Sequence, residues 1–76
     1  MQLNMTQGEY LRMLRRQEGL SLKQAAELVR ISFSYLSKLE RGKLHISLEV
    51  AYALMNLYEG NLRILASLPY EMARNA

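Results

Sequence analysis

The side chains best suited to binding chemistry in this 76-residue chain are the basic residues of its middle third. Residues 21 to 46 carry five Lys or Arg and two Glu, a net charge of 5 − 2 = +3, whereas residues 1 to 20 carry 3 − 2 = +1 and residues 47 to 76 carry 2 − 3 = −1. Lys38, Arg41 and Lys43 lie close together in that stretch. Clustered ammonium and guanidinium groups attract anions, so the charge pattern favours a polyanion as the partner.

Other site chemistries find no support in the sequence. The chain has no cysteine, which excludes thiolate nucleophiles and thiolate metal ligands, and its single histidine, His45, lacks a second histidine for a zinc site. It also has no glycine-rich phosphate loop and no carboxylate pair in an apolar setting. We therefore expect no enzyme, no metal and no cofactor, and His45 is expected to be a loop residue.

Length and composition predict one folded domain spanning residues 1–76. Half of the residues are apolar and 22% are charged, as in ordinary globular proteins, and without cysteine the core must be stabilised by packing. No apolar run is long enough for a membrane span, and the N-terminus lacks the pattern of a secretory signal. We expect a cytoplasmic protein with no membrane partner.

Start and stop signals divide the chain into five helices, and the alternating pattern of strands is missing. Thr6 to Glu9 and Ser21 to Gln24 each fit a capping box, and Ser32, Ser47 and Asn61 can cap three more helices. The predicted helices run from about residue 7 to Gly19, over 22–29, over 33–41, between Ser47 and Gly60, and over 61–68. Residues 71–76 are expected to form a frayed tail. The fold class is all-α, with a four-helix core over residues 6–58.

The second and third predicted helices are the candidate binding element. Each has only eight or nine residues, they are joined by three residues, and Ala25 and Ala26 allow close packing. Such a pair with a basic second helix is the helix-turn-helix pattern, in which the second helix enters the DNA major groove.

Residues 8 to 58 resemble the DNA-binding domain of the Cro and lambda-repressor-like (XRE-type) family of helix-turn-helix regulators. The matching segments are Leu11 to Arg15, Gly19 to Leu22, Ala26 to Leu28 and, most specifically, Ser34 to Gly42. The resemblance implies a compact five-helix lambda-repressor-like fold. It also implies that Glu40 pairs with Arg15 and fixes the third helix against the first.

The resemblance further implies which side chains contact DNA. The base-facing positions are Phe33, Ser34 and Lys38, of which Lys38 can donate to guanine, Ser34 to several base edges, and Phe33 can lie against a thymine methyl. The expected phosphate contacts come from the edges of the groove. They are Ser21, Tyr35, Ser37, Arg41 and Lys43, with Arg30 and His45 as weaker candidates.

Three departures from the family pattern bear on the fold. Arg30 stands where the turn usually has glycine, so we expect a slightly different turn. Ala25 replaces a larger apolar residue, and Leu22, Leu28 or Phe33 is expected to fill the space. His45 and Ile46 stand where many members have proline, which leaves the path before the fourth helix open.

Four of the binding assignments have a structural alternative. Phe33 fits the gap beside Ala25 as well as it fits a base, and Lys38 can be a solvated charge. Arg41 and Lys43 can simply stabilise the C-terminal end of the third helix through its dipole.

A single helix-turn-helix unit contacts few base pairs, so a homodimer on two half-sites is expected. The apolar C-terminal region is the predicted dimer surface, unless the fifth helix only closes the core. Its residues are Leu57, Tyr58, Leu62, Leu65 and Tyr70. The function expected from the resemblance is a bacterial, phage or plasmid transcriptional regulator, most simply a repressor on a pseudo-palindromic operator. The alternatives are an antitoxin or other interaction module whose partner is a toxin or antagonist protein, and a purely structural helical bundle.

Overall fold

A computed structural model describes residues 4–70, which form five helices and no strand. The helices are α1 (Gln7–Gln17), α2 (Leu22–Leu28), α3 (Phe33–Glu40), α4 (Leu48–Tyr58) and α5 (Leu62–Ser67). The predicted all-α, five-helix fold is confirmed, with ends that differ by one or two residues from the sequence-based bounds. The predicted tail over residues 71–76 lies outside the described residues.

The predicted N-caps are all present. Thr6 Oγ1 accepts a 3.1 Å hydrogen bond from the Glu9 N–H while the Thr6 N–H donates to Glu9 Oε1 at 2.9 Å, which completes the first capping box. Ser21 and Gln24 form the second in the same way. The remaining caps each accept one backbone hydrogen bond. They are Ser32, Ser47 and Asn61.

Arg30 adopts the left-handed conformation that glycine usually supplies in this turn. Its φ is 60°, close to the 72° of Gly19 and Gly42 at the ends of α1 and α3. The hydrogen bonds are the same as well: the Ile31 N–H donates to the Ala26 carbonyl at 3.0 Å, as Lys43 donates to Lys38 at 2.9 Å. The expectation of a different turn is therefore wrong, and Arg30 keeps the usual geometry at a strain of about 1–2 kcal/mol.

The core is centred on α1, which contacts α3, α4 and α5, while α2 packs mainly on α3. The largest fully buried side chains come from α1, α3, α4 and α5. They are Leu11, Leu36, Leu54 and Leu65. In α4, Met55 and Tyr58 are buried while Val50 and Leu57 are only half-buried.

Neither Phe33 nor Leu28 fills space beside Ala25, whereas Leu22 is half-buried and packs on the core. Ala25 is fully buried, whereas Phe33 and Leu28 are 55% and 61% exposed. The close approach of α2 and α3 occupies the volume that a larger residue would take. The structure thus contradicts the suggestion that Phe33 or Leu28 fills this space.

None of the helices within residues 4–70 has the length and apolar character needed to cross a membrane.

Candidate nucleic-acid interface

The inner side of α3 is fixed to the rest of the chain. Leu36 is fully buried and Leu39 is 3% exposed, and both belong to the main hydrophobic cluster. The α3 N-terminus is capped by Ser32, whose hydroxyl accepts from the Tyr35 N–H at 3.0 Å. A short helix is marginal on its own, so this packing sets both its existence and its orientation.

A buried ion pair joins α3 to α1. Arg15 Nε donates to Glu40 Oε2 at 2.8 Å, and Arg15 Nη2 donates to Glu40 Oε1 at 3.1 Å, which is a bidentate arrangement. Both residues are buried, at 8% and 4% exposure. The hydrogen bond that Arg15 donates to the Glu40 carboxylate raises the pKa of Arg15 above its ordinary value in spite of burial. This is the pair that the resemblance implies.

Arg15 also binds a third part of the chain. Its Nη1 donates to the Leu20 carbonyl at 2.7 Å, in the turn that leads into α2. Arg12 approaches the same carboxylate of Glu40 at 3.7 Å, but its side chain is 41% exposed. One arginine therefore positions the start of α2 and the end of α3 together, while the other adds a weaker, solvated contact.

Gly8 permits a contact that the sequence-based reasoning missed. A Cβ on Gly8 would lie 2.5 Å from the Glu40 carbonyl oxygen and 2.7 Å from that of Leu39. Both obstacles are backbone atoms, so only glycine allows α1 to pass this close to the end of α3. The signal in the sequence was a glycine inside a capping box, where a side chain would normally favour the helix.

The outer side of α3 is open to solvent. Phe33, Ser34 and Lys38 are exposed, in contrast to Leu36 and Leu39 on the inner side. No other part of residues 4–70 covers the Phe33 ring enough to bury it, since more than half of its surface is accessible. The three residues expected to contact bases therefore lie on an accessible helix face.

The residues expected to contact phosphates differ in exposure. Arg41 and Lys43 are exposed, and Arg41 Nε makes only a long 3.4 Å hydrogen bond to the Ser37 carbonyl. Tyr35 and Ser37 are half-buried. The Ser21 backbone N–H is taken by Gln24, so only its hydroxyl proton is available for a ligand.

Two of the five residues expected at a dimer surface lie in the core instead. Tyr58 and Leu65 are each 2% exposed, because α4 and α5 close the hydrophobic cluster with these side chains. That assignment is corrected for both. Leu57, Leu62 and Tyr70 are half-buried and keep accessible surface.

The apolar surface that is exposed lies earlier in α4 than expected. Leu48 is 75% exposed and Tyr52, one turn later, is 61% exposed. Beside them is a groove of about 210 Å³. It is lined by Gln7, Ile46, Leu48, Ala51, Leu62, Leu65 and Ala66. The i, i+4 spacing of Leu48 and Tyr52 outside the buried stripe was the sequence signal for this surface.

Comparison with known proteins agrees with this architecture. The helix-turn-helix domain family matches residues 8–63. The transcriptional regulator DdrOP3 of Deinococcus deserti is 48% identical over 50 residues, which is 66% of this chain and 39% of that protein. The chain therefore matches only about two fifths of the length of this relative.

Two solved structures resemble the chain in fold. The restriction-modification controller protein C.AhdI from Aeromonas hydrophila has a TM-score of 0.72 at 34% identity, covering 78% of this chain and 89% of that one. The N-terminal DNA-binding domain of SinR from Bacillus subtilis has a TM-score of 0.75 at 24% identity, covering 80% and 90%. The chain belongs to the helix-turn-helix domain family, with the lambda-repressor-like fold of XRE-type DNA-binding transcriptional regulators, a family of regulators and not of enzymes.

Proposed function

We propose that this protein binds double-stranded DNA sequence-specifically through α3 and represses transcription by occupying a pseudo-palindromic operator. The observation that carries the proposal is the asymmetry of α3. Leu36, Leu39 and Glu40 are buried and fix the helix from one side, while Phe33, Ser34 and Lys38 are exposed on the other. A rigid helix with a free polar and basic face fits the major groove, whose width admits one helix.

Base readout falls to the exposed residues of α3. Lys38 donates to O6 or N7 of guanine, and Ser34 donates to or accepts from a base edge. Phe33 lies against the methyl group of a thymine, in keeping with its exposure and with its place at the first turn of the helix. Each of these contacts distinguishes one base pair from another, so together they specify a short half-site.

Phosphate contacts position the helix in the groove. Arg41 and Lys43 follow α3 directly and are exposed, so they reach the backbone beyond its C-terminal end. Ser21, Tyr35 and Ser37 supply further hydroxyl donors, from the N-terminus of α2 and from α3 itself. These contacts contribute affinity that depends on salt and little on sequence.

The operator-bound form is a homodimer. One α3 reads only a few base pairs, and two copies related by a twofold axis place their helices about 34 Å apart. The proposed interface is the exposed apolar surface at Leu48 and Tyr52 of α4 together with the adjoining groove, which Leu62 of α5 helps to line. Leu57 lies on the opposite side of α4 from Leu48 and Tyr70 follows α5, so neither is placed in this contact. Exposed apolar area of this kind is typical of a protein contact.

Selection from a random pool of DNA duplexes tests the function. The purified protein should enrich an inverted repeat, and its affinity for that sequence should fall by about 0.9 log units per log unit of salt for each phosphate contacted. If no sequence is enriched and the protein instead forms a stable complex with a toxin or antagonist protein, the repressor function is refuted in favour of an interaction module. A single, asymmetric half-site would refute the homodimer but not the DNA binding.

Sedimentation equilibrium without DNA tests the interface separately. Leu48→Ser removes apolar surface that is already exposed, so the monomer should stay folded while dimerisation weakens. Leu28→Ser is the matched control, since Leu28 is similarly exposed but lies on α2. If Leu48→Ser weakens dimerisation no more than Leu28→Ser does, the dimer contact does not involve Leu48.

A further inference from the structure

The backbone that follows α5 is well anchored. After α5, Leu68 is buried at 8% exposure, and the Pro69 carbonyl accepts a 2.9 Å hydrogen bond from the backbone N–H of Gln7. The Gln7 side-chain amide donates to the Leu65 carbonyl at 3.1 Å. Leu68 and Pro69 are thus positioned by α1 and α5, independently of the segment that follows α3.

Tyr70 extends from this anchored backbone to the segment between α3 and α4. Its ring stacks on the ring of His45, with centroids 3.7 Å apart and planes inclined by 18°. Its carbonyl oxygen lies 3.7 Å from the position that a Cβ on Gly42 would take, so the two backbones are close. The two contacts are on either side of Lys43, whose side chain is exposed.

Ile46 packs on the hydrophobic core at the α4 end of the segment, and the residues before it have few other constraints. The N–H groups of Gly42 and Lys43 bond to carbonyls at the end of α3. Beyond them, residues 44–46 make no backbone hydrogen bond to another part of the described chain, and Leu44 and His45 are exposed. Without the stack on Tyr70, this segment would therefore sample more conformations.

We propose that Tyr70 is a positioning residue for DNA binding, which orders the segment carrying Lys43 before DNA arrives. The proposal rests on the proposed function, because it assigns Lys43 to a phosphate. Ordering a flexible segment on binding lowers affinity, and a segment that is ordered in advance avoids that loss. From the usual strength of an aromatic pair, removal of the Tyr70 ring should weaken DNA binding about 2- to 10-fold.

The test is a set of DNA titrations with the selected operator at several salt concentrations. Tyr70→Ala should lower affinity by about 2- to 10-fold, and Tyr70→Phe, which keeps the ring, should bind like the wild type. The selected sequence should stay the same, since α3 is untouched. His45→Ala removes the stack from the exposed side, without altering the C-terminal backbone, and should reproduce the loss even if Tyr70→Ala unfolds. His45→Phe, which keeps a ring for the stack but has no group for a phosphate, should bind like the wild type and so excludes a direct contact by His45.

Combination with Lys43→Ala separates positioning from general destabilisation. If Tyr70 acts through Lys43, Tyr70→Ala should cost little further affinity in the Lys43→Ala protein, because the two changes remove the same contact. The salt dependence of both single variants should fall by up to about 0.9 for the phosphate contact that is lost.

Three results would overturn the inference. One is an unchanged affinity in both Tyr70→Ala and His45→Ala while the wild type binds, which leaves the proposed function intact. Another is a loss that Tyr70→Phe shares, since the hydroxyl and not the stack would then matter. The third is full additivity with Lys43→Ala. A wild-type protein that binds no duplex would refute the proposed function as well as this inference.

Discussion

Replacement of Glu40 by Gln tests how α3 is positioned. The change keeps the shape of the side chain but removes its charge, which leaves the buried guanidinium of Arg15 without a counter-charge and facing Arg12, whose Nε is 3.7 Å from the present carboxylate. Removing one partner of a buried pair costs about 3–5 kcal/mol. At about 0.05–0.15 kcal/mol per residue, the whole chain has only about 4–11 kcal/mol of stability.

The free energy of unfolding should therefore fall by about half, and the melting temperature by at least about 12 °C. Urea denaturation followed by circular dichroism measures the first quantity, and calorimetry the second. Arg12→Ala is the matched control on the same carboxylate. Because its side chain is 41% exposed, its loss should cost no more than about 1 kcal/mol.

A double replacement shows whether the loss of stability in Glu40→Gln comes from the unpaired charge of Arg15 or from altered packing. Arg15→Met combined with Glu40→Leu removes both charges, and its stability should recover most of the loss of Glu40→Gln, since an apolar pair carries no desolvation penalty. A loss below about 1 kcal/mol for Glu40→Gln, equal to that of Arg12→Ala, would contradict the buried geometry.

Four further predictions concern binding and stability. Lys38→Ala should relax the preference at one position of each half-site at a cost of about 1–3 kcal/mol; a selected motif identical to that of the wild type would remove Lys38 from base readout. Arg41→Ala should weaken specific and non-specific duplexes alike and lower the salt slope by about 0.9, and unchanged binding to non-specific DNA would argue against a phosphate contact. Arg30→Gly should relieve the left-handed strain at φ 60° and raise stability by about 0.5–1 kcal/mol net of the entropy of glycine, so a lower melting temperature would be evidence against that conformation. Burial raises the pKa of Tyr58 from about 10 to about 12. The folded state holds this proton more tightly than the unfolded state does, so protonated Tyr58 adds about 2–3 kcal/mol to the free energy of unfolding. That stabilisation is fully present below pH 10 and is lost as the pH rises from 10 to 12. Tyr58→Phe should remove that part of the alkaline loss, which denaturation at pH 9 and pH 11.5 measures.

The helices were predictable because their signals are local. Each helix begins at a residue whose side-chain oxygen accepts a backbone hydrogen bond, and Thr6 and Ser21 do so in full capping boxes. The resemblance similarly implied the Arg15–Glu40 pair that the structure contains. Local chemistry and a specific motif thus sufficed for the elements and for the buried contact between α1 and α3.

The errors arise where packing decides between local alternatives. A non-glycine residue in the left-handed region carries a cost, but the packing of α2 on α3 outweighs it at Arg30. Tyr58 and Leu65 are residue types that are common in interfaces, yet α4 and α5 pack so that both side chains lie in the core. The exposure of Phe33 and the approach of α1 at Gly8 depend on distances between helices, which periodicity does not contain.

Chemical-shift mapping by nuclear magnetic resonance with the selected duplex tests the central claim most directly. The amide signals of Ser34, Lys38 and Lys43 should shift on addition of the operator. The signals of Leu48 and Tyr52 should not shift, because these residues are already in contact in the free dimer. A duplex that moves the α4 signals and leaves those of α3 unchanged would contradict the account.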